Sequence, residues 1–230
     1  MATKKEETAL QVDLRALDIQ SFQLKIVGDS PLICHAWSEK AKKMMLDKQQ
    51  KKAATAKEIR CPLIEFADSL YWLTPKPDFA GLTNDQAKEI LADVIPQSKF
   101  GFPAVAFKAA ALDAGYQQGA LVRNSGTGGL SKPAARGAIR VLGEAGEGEY
   151  AVIEGTPTPR EDIGRIGNGS VDLRYRAEFK DWQTKLQIQY NASVISPEQV
   201  INLFVLGGFA NGVGDWRPAK DGIFGTFHVE

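Results

Sequence analysis

From Ser196 onward the chain carries the pattern that most limits its fold. Ser196-Pro197-Glu198-Gln199 is a capping box with proline in the first helical turn, an arrangement that satisfies the free N–H groups of a helix start. Val200, Ile201, Leu203 and Phe204 then fall on one face, so this helix must bury an apolar stripe against another layer. A glycine-rich loop from Gly207 to Gly225 and a closing strand, IFGTFHV, follow directly. Helix, loop and strand in that order require a sheet supplied by the rest of the sequence.

Strand patterns for such a sheet are present. QSFQLKIV, residues 20–27, alternates polar and apolar with Phe22, Leu24 and Ile26 on one face, the period of a half-buried strand. VDLRYRAEF and WQTKLQIQY alternate in the same way. They read as antiparallel neighbours joined at Lys180-Asp181. Shorter strands are expected near Ala138 to Ala145 and at Tyr150.

Helices fill the intervals. Ser38 can cap a stretch running to about Arg60 that is rich in Ala, Lys, Gln and Met, all good helix formers. It carries eight Lys/Arg against three acids, and its apolar residues are few, chiefly Met44, Met45 and Leu46. That helix cannot be deeply buried, and its face is solvated or partner-facing. Between Cys61 and Lys99 a short extended piece, SLYWL, precedes a helix from Thr83 to Val94 with Gln86 completing a capping box. Gly101-Phe102-Pro103 opens a further helix, AVAFKAAALDAGYQQG, that Gly115 or Gly119 would end. Residues 124–137, NSGTGGLSKPAARG, are too rich in glycine for regular structure and read as a mobile loop.

The order is then strand, insertion, helix, strands, helix, strand, which is the βαββαβ pattern of a ferredoxin-like (RRM/RAMP-like) α+β core with a largely helical insertion after the first strand. Residues 1–17 read as a flexible tail, 18–230 as one domain, and 38–100 as the insertion. With 43% hydrophobic and 24% charged residues the chain is globular rather than disordered. No apolar run reaches the roughly 20 residues that cross a bilayer, and the charged N-terminus lacks the apolar segment of a signal peptide. A cytoplasmic protein is expected.

Lys+Arg and Asp+Glu balance at 28 each, so a nucleic-acid site would have to come from uneven distribution of charge. Two cysteines, Cys34 and Cys61, and two histidines, His35 and His228, make too small a ligand pool for a zinc spacing. No metal, cofactor or catalytic residue is expected. Asp29 follows the first strand alone, and Arg160-Glu161-Asp162 with Arg165 puts paired acids on what reads as a loop, which does not define a metal site without further ligands.

Function concentrates in the loop GGFANGVGDWRPAKDGIFG. It holds six glycines with Trp216, Arg217 and Lys220. Free N–H groups of successive glycines can cradle an anion, Arg is a bidentate phosphate donor and Trp a stacking surface. A tight structural connection, with Trp216 filling a gap in the core, fits the same spacing. Asp215 and Asp221 lower the charge of the loop. Gly126 to Lys132 fails the phosphate-loop spacing. Arg123, Lys132, Arg136 and Arg140 around it could still line a groove for a nucleic-acid backbone. The densest positive region is the run Lys40, Lys42, Lys43, Lys48, Lys51, Lys52 and Lys57.

GVGDWRPAKDGIFGTF, after a helix and leading into a last strand, resembles the C-terminal glycine-rich loop of the RAMP superfamily, which includes backbone subunits of CRISPR effector complexes. GFPAVAFKAAALDAG is similar to the start of the first long helix there, with Lys108 as its basic residue. The turn Asp29 to Ile33, the helix Phe102 to Lys108, the strand Arg174 to Phe179 and the loop Gly212 to Pro218 together resemble small phage-encoded proteins of unknown function. The RAMP resemblance implies a protein that grips the backbone of RNA or single-stranded DNA, often while polymerising along it. It also implies attention to Asp29, where some RAMP subunits that cut RNA carry an acid. A non-enzymatic, oligomeric binder of single-stranded nucleic acid in a phage-infected cytoplasm is one expectation. An oligomeric or virion-associated interaction protein without a nucleic-acid ligand is the other.

Overall fold

A computed structural model describes residues 17–52, 60–123, 128–165 and 171–230. In chain order its elements are β1 (Ile19–Gly28), β2 (Leu32–Cys34), α1 (Glu39–Gln49), α2 (Pro62–Ser69), β3 (Tyr71–Trp72), α3 (Asn84–Val94), β4 (Phe100–Pro103), α4 (Ala104–Gln117), α5 (Lys132–Ala138), β5 (Ile139–Leu142), β6 (Tyr150–Ile153), β7 (Pro157–Arg165), β8 (Val171–Phe179), β9 (Gln183–Asn191), α6 (Pro197–Leu206) and β10 (Phe227–Val229). This is a mixed α+β structure, and every pair of strands in its sheets is antiparallel. The tail to residue 16, the end of the basic run including Lys57, and Asn124 to Thr127 lie outside the described residues.

The largest sheet runs β10-β1-β9-β5. Its register sets Phe22 opposite Ile188, Leu24 opposite Leu186, and Ile188 opposite Val141. Strand alternation therefore gathers one apolar face, and α4 and α6 cover it with Phe107, Val200, Leu203 and Phe204, all buried. The two helices meet closely because glycine stands at their contact. A Cβ on Gly207 would come within 2.7 Å of the Ala111 backbone nitrogen, and one on Gly115 within 2.3 Å of Leu203 Cδ2. Both capping boxes form as read: Thr83 and Ser196 accept from the backbone N–H of Gln86 and Gln199. Gly119, at φ +78°, lies just past the end of α4, while Gly115 sits inside the helix.

Two smaller sheets, β2-β8-β7 and β3-β4-β6, complete the structure. They correct the sequence reading at several places. β8 and β9 are consecutive and both alternate, yet they belong to different sheets: β8 pairs with β2 and β7, β9 with β1 and β5. Between them Trp182 turns a corner. Its indole donates to Ser30 O at 2.9 Å, its carbonyl accepts from Gly28 N at 2.9 Å, and the ring occupies the space a Gly28 side chain would need. The paired acids of residues 160–162 lie on strand β7 rather than a loop. Pro157, Pro159 and Gly164 hide this strand in the sequence, and proline is tolerated because β7 is outermost in its sheet.

Three other segments differ from their reading. Lys132–Ala138, all but its last residue within the stretch 124–137 that reads as a mobile loop, is helix α5, capped by Ser131 with Pro133 in its first turn and Ala135 and Ala138 buried. Gly101-Phe102-Pro103 is strand β4, and α4 starts only at Ala104. Pro62–Ser69 is a helix that the proline-led, eight-residue pattern did not announce; it buries Phe66 and Ala67. The Ser69 hydroxyl donates to Phe66 O and accepts from Ala177 N on β8, both at 2.7 Å.

Candidate nucleic-acid interface

The glycine-rich loop begins where α6 loosens. Gly207–Asn211 forms one wide turn in which Gly212 N donates to Gly207 O, a π-type bond frequent at functional positions. Gly212 and Gly214 take φ +62° and +81°, which a side chain would strain. The N–H groups of the loop are largely spent on structure rather than left for an anion: Asp215 N donates to Ile33 O, Gly225 N to Pro31 O, Val213 N to Gly225 O, and Phe224 N to Trp216 O. Trp216 itself is held at φ +54°, a rare conformation for a bulky residue. It is 39% exposed, and so does not fill a core gap, while Phe209 is 83% exposed.

Between this loop and α4 lies a cleft of about 270 Å³. Ala106, Ala109 and Ala110 form one wall, and His35, Tyr71, Asp215 and Arg217 supply polar groups. Asn211 also lines it, buried, with Nδ2 donating to Ala110 O and Oδ1 without a partner among the described residues. His35 Nδ1 lies 3.0 Å from Asp215 Oδ2, and Arg176 Nη2 lies 3.1 Å from the same oxygen. Arg176 Nη1 faces Asp162 at 4.0 Å; Arg160 binds Asp162 and Glu178 and stacks 4.4 Å over the ring of Phe224. The Asp215 carboxylate thus ties the loop to the β7–β8 ribbon.

Burial pushes the Asp215 carboxyl upward, but the His35 hydrogen bond and the Arg176 charge outweigh it and hold its pKa below the usual value. Burial pulls the Arg176 guanidinium below its ordinary pKa against the attraction of Asp215. Burial likewise pushes the Tyr71 hydroxyl up to about 12 and raises the Cys34 thiol. Cys34 is fully buried and supplies no thiolate nucleophile. An imidazole oriented by a carboxylate can move a proton. Sequence reasoning missed this pairing because the partners are 180 residues apart. Asp29 is similarly met by His228, Nδ1 to Oδ1 2.6 Å.

The basic residues expected from sequence fall into three places. Trp216, Arg217 and Lys220 share the loop, with Arg217 Nη1 donating to Gly214 O. Lys108, Lys132 and Arg136 meet at the α4–α5 contact: Lys108 Nζ donates to Arg136 O and Ile139 O at 2.8 and 2.5 Å, and Lys132 binds Asp113 and lies over the Tyr116 ring. Burial, then Arg136 and Arg140, lowers the Lys108 pKa. Arg123 lies just after Val122, whose N–H and carbonyl bond Leu130 and Lys132.

The third place is α1 and its end. Ser38 caps it as read, and none of its residues is buried. Lys40, Lys42, Lys43 and Lys48 stand on it and Lys51 and Lys52 follow. Lys42 pairs with Glu39 and Lys52 with Asp47; Lys43, Lys48 and Lys51 have no salt bridge among the described residues.

No group of three or more His, Cys, Asp or Glu residues that could hold a metal ion occurs among the described residues. No described helix is long and apolar enough to cross a membrane. No protein-family model matches the chain, and no curated protein matches it. Among solved structures, the crystal structure of Cmr6 from Pyrococcus furiosus aligns over 94% of this chain and 100% of its own at 11% identity and TM-score 0.35.

Proposed function

We propose that the protein binds single-stranded nucleic acid, RNA or DNA, through its sugar-phosphate backbone, without catalysing a reaction. The observation that carries this reading is α1, an eleven-residue helix that buries nothing and holds its lysines away from the core. A helix with no fully buried residue, two of whose lysines, Lys43 and Lys48, have no salt bridge among the described residues, suits a polyanion whose charges recur along a flexible strand. Lys42, Lys43, Lys48, Lys51 and Lys52 make this phosphate-facing strip. Arg217, Lys220 and Trp216 extend it on the loop, and Arg123, Lys132, Arg136 and Lys108 form its third patch.

The same proposal takes residues 18–230 as one α+β domain with residues 38–100 inserted into a ferredoxin-like core. The element order β1, α4, β5, β9, α6, β10 and the strand order β10-β1-β9-β5 support it. The RAMP-like character of that core, the phage context and assembly along the strand rest on the motifs quoted from the sequence. The test is a titration of labelled dT20 and rU20 from 50 to 300 mM salt. Binding that weakens linearly in log salt is expected, and no binding to either at low salt would end the proposal.

One observation favours a second reading, an oligomeric interaction protein with no nucleic-acid ligand: Phe209 projects from the loop, 83% exposed. On that reading the protein purifies as a uniform oligomer free of nucleic acid, and Phe209→Ser lowers its mass to that of the monomer.

A further inference from the structure

A second cleft, of about 430 Å³, lies at the start of α1 and shares Tyr71 with the loop cleft. Its wall is aromatic: Tyr71, Trp72 and Tyr150, with Trp37 at its rim. Three of these rings are fixed by their packing. Trp72 meets Phe100 edge-on at 5.0 Å and donates its indole N–H to Ala67 O at 2.8 Å; Tyr71 lies 6.0 Å from Tyr150 and 5.6 Å from Phe102. Trp37 is different. It is 59% exposed and has no ring partner among the described residues. Its backbone is nonetheless anchored on both sides, by Ala36 N donating to Ser69 O at 2.9 Å and by Ser38 capping α1. An indole on a fixed backbone beside a rigid aromatic wall is a stacking surface without its planar partner.

Lys42 and Lys76 also line this cleft, paired with Glu39 and Asp68. These four groups carry no net charge, so the cleft attracts through its rings rather than its field. The Lys42–Glu39 pair is exposed and the Lys76–Asp68 pair half-buried; exposed pairs contribute little to folding, so the Lys42 ammonium is the freer of the two to turn toward a phosphate. The volume suits one nucleotide.

We infer that the Trp37 cleft receives one unstacked base of the bound strand, which stacks on the Trp37 indole while its phosphate reaches Lys42 and Lys76. The inference rests on the strand-binding reading and assigns that strand a fixed station between α1 and the loop. Stacking is blind to salt, whereas lysine contacts are not, so the two contributions separate experimentally.

The experiment uses the full chain with fluorescein-labelled dT20 and rU20, comparing wild type, Trp37→Ala, Trp37→Phe and a Lys43→Gln/Lys48→Gln/Lys51→Gln triple variant across salt. Trp37 is exposed, so its replacement leaves the fold intact, which circular dichroism checks. For Trp37→Ala we expect roughly tenfold weaker binding with an unchanged salt slope, substantially restored in Trp37→Phe. Oligonucleotide binding within twofold of wild type in Trp37→Ala would overturn the inference and leave the strand-binding reading standing. If no oligonucleotide binds at all, that reading fails, and uridine and adenosine monophosphate decide the cleft alone through the Trp37 indole N–H resonance. A saturable shift of that resonance supports it, and no shift refutes it.

Discussion

Asp215 stands between a half-exposed imidazole and a buried guanidinium: the same oxygen, Oδ2, lies 3.0 Å from His35 Nδ1 and 3.1 Å from Arg176 Nη2. Arg176 is only 4% exposed and Nη1 has no hydrogen-bond partner among the described residues, so Asp215 is its nearest compensation. Removing one partner of a buried pair leaves the other charge stranded. Asp215→Ala should therefore destabilise the protein by about 3 kcal/mol in urea unfolding. A double Asp215→Ala/Arg176→Met variant should recover a good part of that loss.

The same carboxylate gives a pH dependence whose sign is fixed by its lowered pKa. A carboxyl with a depressed folded-state pKa stabilises the fold above its unfolded value, about 3.9, and that contribution disappears as pH falls through the folded value. The stability gap between wild type and Asp215→Asn should close progressively below about pH 4. Chemical unfolding at stepped pH would read it, and a gap that widened in acid would contradict the assignment.

Lys108, though placed in the third patch, is tied into the fold. Its ammonium donates to two backbone carbonyls at the end of α5, so Lys108→Met leaves those acceptors without that donor and should cost about 1–3 kcal/mol. The Lys43→Gln/Lys48→Gln/Lys51→Gln triple should do the reverse. On a helix with no buried residue it should change stability by less than about 1 kcal/mol, while lowering the salt slope of oligonucleotide binding by roughly 0.7 for each phosphate no longer neutralised.

Gly207→Ala should cost more than Gly115→Ala. The Gly207 Cβ would press on the backbone of Ala111 and Ala110, which moves only with α4, whereas that of Gly115 meets the tip of Leu203, which can rotate. Overpacking of the first kind costs about 1–3 kcal/mol. Thermal unfolding of the two variants side by side is the measurement.

The parts of this fold that local chemistry determines could be read directly. Thr83 with Gln86 and Ser196 with Gln199 set two helix starts through side chains three residues away. Leu24 and Ile26 face the core because alternation puts them there. What stayed hidden depends on distant partners. Alternation in 182–190 says which residues point inward but nothing of the neighbouring strand, and in 171–179 it misleads, because Val171 and Leu173 are exposed while Arg176, Ala177, Glu178 and Phe179 are all buried, so the Trp182 corner between two sheets could not be seen. The candidate site divides likewise. The lysines of α1 and the loop residues Trp216 and Arg217 announce themselves by composition, whereas His35, Asp215 and Arg176 are ordinary until the chain folds. Trp37 carries no local signal, because exposure is not written in sequence.

β1 sits between β9 and β10, both supplied by residues far downstream. On a ribosome the central strand is made early, and the backbone around Leu24 and Ile26 has neither strand neighbour until Leu186, Thr184 and Val229 emerge. Sheet formation must then be a late event of synthesis, governed by slow long-range pairing. A nascent chain arrested before β9 should expose residues 19–28 to chaperones and proteases, and release of the last two strands should end that exposure at once.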